Sequence, residues 1–216
     1  MEEKNIIYLN HPLLTHKISL IRDKNLPCAD FRRIVKEIAM LEGYEALKDV
    51  KMKMVEIETP IEKTVQPVAV GKSLCFVPIL RAGMGMVDGF TELIPTAAVG
   101  HIGVYRDNVT HLPHAYFCKL PSNIAEKEVI LLDPMLATGG SAIDAVRTLK
   151  EHGASNIRFV CIIAAPEGVK AFHDAYPEIP LYVGALDRQL NENAYICPGL
   201  GDAGDRIFGT TSKASN

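Results

Sequence analysis

The sequence predicts an α/β fold: an open, mostly parallel twisted sheet flanked by helices, with N-terminal helices and a β-arm. Three observations predict it. After Gly71, short apolar runs are separated by helical patterns, the rhythm of βα units that feed a parallel sheet. Before Gly71, two stripes at helical spacing and one alternating stretch form an accessory layer. Of the 216 residues 48% are hydrophobic, so one domain can bury a sizeable core. The expected organisation is a single domain over 1–216, with the helices and β-arm in 1–70, a core in 71–209 and a short tail in 210–216.

The first helix starts at Asn10-His11-Pro12, where proline just inside the start loses nothing because its amide would be unpaired anyway. Leu14, Ile18 and Ile21 then share one face. A second helix is expected from Phe31, Ile34, Val35, Ile38 and Leu41, with Asp30 as its N-cap. From Lys51 to Glu58 the pattern alternates, Met52 and Met54 then Val55 and Ile57, and the phase slip predicts a bulge. Thr59-Pro60 reads as a turn into the other arm strand, Ile61 to Val65. Core strands are expected at Leu74 to Leu80, Ala97 to Tyr105, Val129 to Leu132, Ile157 to Ala164 and Leu181 to Ala185. Between the third and fourth, Ala142, Ala145, Val146 and Leu149 form a helical stripe that Gly153 ends. Arg106 to Pro113 is polar and aperiodic, which predicts a mobile loop.

Composition narrows the partners. Lys plus Arg number 23 against 26 Asp plus Glu, a formal charge of -3, which gives no electrostatic footprint for nucleic acid. The cysteines Cys28, Cys75, Cys118, Cys161 and Cys197 contain no C-x-x-C pair and leave one over from any full pairing, which suits a reduced, cytoplasmic compartment. Met1-Glu2-Glu3-Lys4-Asn5 lacks a basic region followed by an apolar one, and no stretch approaches the roughly 18 apolar residues of a membrane span. His111 and His114 have H-x-x-H spacing but lie in a polar loop without further ligands, so they read as loop histidines and no protein metal site is expected.

The most informative stretch is Val129-Ile130-Leu131-Leu132-Asp133-Pro134-Met135-Leu136-Ala137-Thr138-Gly139-Gly140-Ser141-Ala142. An apolar strand runs through a small-residue turn into a helix. The unpaired amides and positive dipole of a helix N-terminus bind phosphate without a lysine. Thr138 and Ser141 add hydroxyl donors, and the missing lysine excludes a Walker A loop. Asp133, at the carboxyl end of a parallel strand, is placed to accept hydrogen bonds from sugar hydroxyls, although an aspartate there also serves as a plain N-cap. The chemistry expected is therefore the holding of a phosphorylated sugar.

This stretch resembles the donor-binding motif of the phosphoribosyltransferases. Most of that wider group carry two consecutive acids, whereas Pro134 replaces the second here; the wording D-P-M-L-A-T-G-G-S resembles the uracil phosphoribosyltransferase branch. Val77-Pro78-Ile79-Leu80-Arg81-Ala82-Gly83-Met84-Gly85-Met86 is similar to the family's diphosphate loop, which implies a non-proline cis peptide adjoining Arg81. Tyr195 to Gly209, including Gly201-Asp202-Ala203-Gly204, resembles the uracil-binding segment. The resemblance spans nearly all of the chain from His11 to Gly209 and implies the type I phosphoribosyltransferase fold.

It also implies roles. The donor 5-phospho-α-D-ribose 1-diphosphate (PRPP) would be bound by Arg81, Arg106, Asp133, Pro134, Met135, Leu136, Ala137, Thr138, Gly139, Gly140, Ser141 and Asp202. Uracil would meet backbone groups of Ile196, Gly201, Asp202 and Ala203, whose fixed donors and acceptors suit two carbonyls flanking an N–H. Arg81, Asp133 and Asp202 are the catalytic candidates. Mg²⁺, carried mainly by PRPP, is the implied cofactor, and a homo-oligomer the implied assembly, with the N-terminal helices and β-arm as candidate interfaces. Some relatives are activated by GTP, which the sequence leaves open, as it does the effect of Asn108 and Val109 where many relatives carry acids. Competing readings are an orotate or purine acceptor, and a regulator that senses the sugar diphosphate while binding RNA. The first wants a cation where Gly201-Asp202-Ala203 offers an acid; the second wants a basic patch.

Overall fold

A computed structural model describes residues 5–106 and 113–210, with the side chains at 105, 106 and 113–115 outside the description. The chain opens with strand β1 (Ile6–Tyr8), then helices α1 (Pro12–Arg22) and α2 (Cys28–Ala46). Leu14, Ile18 and Ile21 are the buried residues of α1, and the His11 side chain accepts from the Leu13 amide at 3.2 Å to cap it. In α2 the stripe Phe31, Ile34, Val35 and Ile38 is buried, while Leu41 is only partly so. Its N-cap is Pro27, not Asp30. The helix starts one turn before the apolar stripe, which leaves Asp30 in the first turn where a negative charge suits the macrodipole.

A hairpin of β2 (Met52–Glu58) and β3 (Lys63–Ala69) follows. Its register runs unbroken from Met52↔Ala69 to Glu58↔Lys63, so the expected bulge is absent, and the second strand lies later than Ile61 to Val65. The hairpin is largely exposed along both strands, which removes the physical reason for a period of two.

The core begins with β4 (Leu74–Leu80), α3 (Met84–Leu93), β5 (Ala98–Val99), β6 (His101–Arg106) and β7 (Pro113–Lys119). The single strand expected from Ala97 to Tyr105 is thus divided at Gly100, whose amide bonds back to the Phe76 carbonyl at 2.9 Å. β6 and β7 form an antiparallel pair, so Arg106 and Pro113 belong to strands; the rest of the expected loop, 107–112, lies outside the described residues. Then come β8 (Glu128–Leu132), β9 (Met135–Leu136), α4 (Gly140–Glu151), β10 (Asn156–Ala164), α5 (Pro166–Ala175), β11 (Leu181–Leu186), the short pair β12 (Gln189–Leu190) and β13 (Ile196–Cys197), and α6 (Ala203–Phe208).

The main sheet has the order β1-β11-β10-β8-β4-β6-β7, with β5 beside β4 and β9 beside β10. All its pairings are parallel except β6 with β7. Alternation along each strand divides the core in two. Phe76, Ile130 and Leu132 face α1, α2, α3 and α6, while Cys75, Val77, Val129 and Leu131 face α4 and α5. No helix among the described residues is long and apolar enough to cross a membrane.

Candidate active site

The chain leaves β4 toward β6 on one side and later returns to place β8 on the other. The strand order therefore reverses between β4 and β8, and ligands of open α/β sheets bind outside the carboxyl ends of strands at such a point. Register puts those ends level, with Pro78 beside Leu132. Arg81 follows the first strand and Asp133 the second. Gly83 closes the gap between their loops: a Cβ there would collide with the Leu132 carbonyl oxygen, so no other residue allows this approach. The peptide between Leu80 and Arg81 is cis, as the resemblance implied.

Asp133 keeps some exposure at the surface, but protein surrounds its carboxyl group. Desolvation pushes it up to about 7, only partly opposed by the Met135 amide, which donates to its Oδ1 at 3.5 Å. The turn beyond divides into two parts. Pro134 and Leu136 give their carbonyls to amides of β10 and its end, Ile163 at 3.0 Å and Ala165 at 2.9 Å, and Leu136 is buried; this part fixes the turn to the sheet. Met135 packs against one core cluster and Leu136 sits in the other. From Ala137 the chain rises into α4. Gly139 caps that helix with φ +86°, the left-handed region, and its carbonyl takes the Ile143 amide at 2.9 Å. Among the described residues the amides of Gly140 and Ser141 have no backbone acceptor, and the Ser141 side chain faces solvent, as an anion site requires.

The third segment reaches the same place from the far end of the chain. Ile196 is buried in β13, Cys197-Pro198 is a cis peptide, and Asp202 caps α6 by accepting the Asp205 amide at 2.8 Å. Ala203 is buried behind that cap, while Gly201 and Asp202 are exposed. Arg81 bridges the segments: its Nη2 pairs with Asp205 at 3.1 Å, its Nη1 donates to Thr210 Oγ1 at 3.4 Å, and its guanidinium lies 5.9 Å from the Phe208 ring centre. The Thr210 hydroxyl, which donates to Asp205, and then the Arg81 guanidinium hold that carboxyl below its ordinary range. Arg106 contributes its backbone to β6, and its side chain lies outside the description.

Thus Arg81, Asp133, the turn 137–141 and the 201–205 segment stand at one end of the sheet. Among the described residues no group of three His, Cys, Asp or Glu side chains is placed to hold a metal, and His111 lies outside them. Cys197 donates its thiol to the Tyr195 carbonyl at 3.7 Å, a packing role. Sequence reasoning missed Asp205 and Thr210 as partners of Arg81, and Arg22 and Asp187, which bind each other across 165 residues. No local pattern announces so distant a pair; the buried single acid after an apolar strand was the available signal.

A mostly parallel sheet with helices on both faces and a strand–turn–helix unit at its reversal point is the fold of the type I phosphoribosyltransferases. The chain belongs to the uracil phosphoribosyltransferase family: that family's model matches residues 8–210. It is 58% identical to a uracil phosphoribosyltransferase of Clostridium tetani over 205 residues, covering 95% of this chain and 98% of that one. A Streptococcus suis protein of the same name is 59% identical over 202 residues, or 94% and 97% of the two chains. Among solved structures, the AQ2163 protein from Aquifex aeolicus superposes with a TM-score of 0.90 at 38% identity, covering 95% of this chain and 99% of that one. A Staphylococcus aureus hypoxanthine phosphoribosyltransferase, at 0.51 and 19% identity over 84% of each chain, shares the fold alone.

Proposed function

We propose that this chain transfers the 5-phosphoribosyl group from PRPP to N1 of uracil, giving UMP and diphosphate in pyrimidine salvage. The observation that supports this best is the meeting of three ligand-type segments at the β4–β8 reversal in a chain of this family. The 5-phosphate takes the amides of the 137–141 turn, helped by the hydroxyls of Thr138 and Ser141. Asp133 accepts hydrogen bonds from the ribose hydroxyls, and Arg81 turns from Asp205 to the diphosphate, with Arg106 as a second cation. Ile196, Gly201, Asp202 and Ala203 present backbone groups to uracil, and the buried Ala203 sets the floor of the base site.

Bond breaking at C1 builds positive charge on the ribose and negative charge on the leaving diphosphate. Arg81 stabilises the second, and the carboxylates of Asp133 and Asp202 face the first, so catalysis is largely positioning and charge neutralisation. Mg²⁺ bound with the donor would neutralise diphosphate oxygens, and the carboxylates of Asp133 and Asp202 would help to hold it. We place the protein in the cytoplasm, in keeping with five free cysteines, and expect a homo-oligomer.

The deciding assay is diphosphate release with PRPP, Mg²⁺ and one base at a time. Uracil should support turnover, while cytosine, orotate and hypoxanthine should not. Turnover with orotate or hypoxanthine in its place would reject the base assignment.

A further inference from the structure

We propose that Arg22 and Asp187 form the positioning pair of the base-binding turn, and that they govern uracil affinity without touching uracil. The inference rests on the reading of that turn as the uracil site. Asp187 follows β11 and is 7% exposed, a depth at which a carboxylate must be paired and hydrogen-bonded to be tolerated. Arg22, the last residue of α1, supplies a two-pronged contact: Nη1 donates to Oδ2 at 2.9 Å and Nη2 to Oδ1 at 2.5 Å.

Neither residue stops at the other. Asp187 Oδ2 also accepts the Gly199 amide at 2.9 Å, and Arg22 Nη1 also donates to the Gly199 carbonyl at 2.8 Å. One ion pair therefore grips both polar groups of a single turn residue, two positions before Gly201. Arg206 braces the next carbonyl, that of Leu200, at 2.8 Å, and anchors itself on the end of α1 through the Ile21 and Asp23 carbonyls at 2.5 Å each. Its guanidinium stacks 4.2 Å from the Phe31 ring centre.

The consequence follows from how uracil is read. A base recognised by main-chain groups has no side chain to readjust, so the turn must be fixed before the base arrives, and an error near 1 Å costs about 100-fold. Both polar groups of Gly199 and the Leu200 carbonyl are already taken by arginine and aspartate, which leaves the following peptides at 201–203 to face the ligand. A pair that served only to staple α1 to the sheet would have no need to hold both ends of Gly199.

The test is steady-state kinetics of Arg22→Gln, Arg22→Lys and Asp187→Asn, varying each substrate separately. Arg22→Gln and Asp187→Asn should raise the uracil KM about 10-fold or more, with the PRPP KM changed less than about 2-fold, because only the turn is loosened. Arg22→Lys keeps the charge but not the fork, so it should fall between wild type and Arg22→Gln. A uracil KM that does not move, or that rises in step with the PRPP KM, overturns the positioning role. Should Arg22→Gln fail to fold, the same comparison on Arg22→Lys and Asp187→Asn decides. Wild-type protein that releases no diphosphate with uracil would instead remove the uracil reading and this inference with it.

Discussion

In the proposed reaction, Asp133 would couple pH to substrate binding through a single buried carboxyl. Its burial lifts it to about 7, so near neutrality the free enzyme holds it about half protonated. The ribose hydroxyls need the ionised form, and kcat/KM for PRPP should rise with pH through about 7. Asp133→Asn should remove that limb and lower kcat/KM about 10- to 100-fold, the scale of a hydrogen bond to a charged group. A profile that keeps the same limb in Asp133→Asn would assign the titration elsewhere. Arg81 is half exposed and its partners lie on the surface, so Arg81→Ala should leave the melting temperature nearly unchanged while reducing kcat/KM for PRPP by about 10-fold or more. Unaltered kinetics in that variant would refute its role.

At the scale of elements, α2 carries an acid with no surface role. Glu42 is wholly buried, neither of its carboxyl oxygens has a hydrogen-bond partner among the described residues, and burial raises it well above the ordinary carboxyl range. In the unfolded chain it ionises near its usual value, so the folded state holds an extra proton above that point. Its contribution is complete below the unfolded pKa and is lost as pH rises toward the folded one. Glu42→Gln should flatten the loss of thermal stability between about pH 5 and pH 8; each kcal/mol recovered is worth about 2–4 °C at this chain length. Parallel melting curves for the two proteins across that range would contradict it. α6 makes a different prediction. Ala203 is buried where the helix begins, so Ala203→Leu should raise the uracil KM about 10-fold or more and spare the PRPP KM, as a filled pocket does. Wild-type uracil affinity there would count against the base site.

Elements that bury one face were legible in the sequence, because burial imposes a period. Leu14, Ile18 and Ile21 on α1 and the Ala142 to Leu149 stripe declared themselves this way, whereas the core strands, buried on both faces, showed as unbroken apolar runs, and the run from 97 to 105 hid the break at Gly100. The hairpin's first strand was also legible, at Met52–Glu58, but its register and second strand were not, since side chains exposed on both faces are free of that constraint and the apparent slip meant nothing. β12, β13 and α6 are too short to show a period, and the base site proposed for them was readable only through resemblance. The turn 133–141 was legible because its chemistry is local. Arg22 and Asp187 were not, because their partnership exists only after folding.

For the whole molecule, the hairpin raises the question of assembly. An isolated two-stranded ribbon is marginal in water, yet this one exposes Met52, Met54, Ile57, Val65 and Val68. Cover from a second copy would account for both facts. Replacing 53–68 by a short turn should leave the parallel sheet folded, because β2 and β3 form a sheet of their own, and should lower the mass measured by sedimentation. A full-length protein that sediments as a monomer would discount the interface.

The contact between Thr210 and Arg81 has a practical side. Thr210 ties the C-terminal end of α6 to the arginine proposed to grip the donor's leaving group, and six more residues follow it in the sequence. A purification tag or fusion partner placed at that end is expected to weaken turnover more than the same tag ahead of Met1, because β1 lies at the edge of the sheet away from β4 and β8.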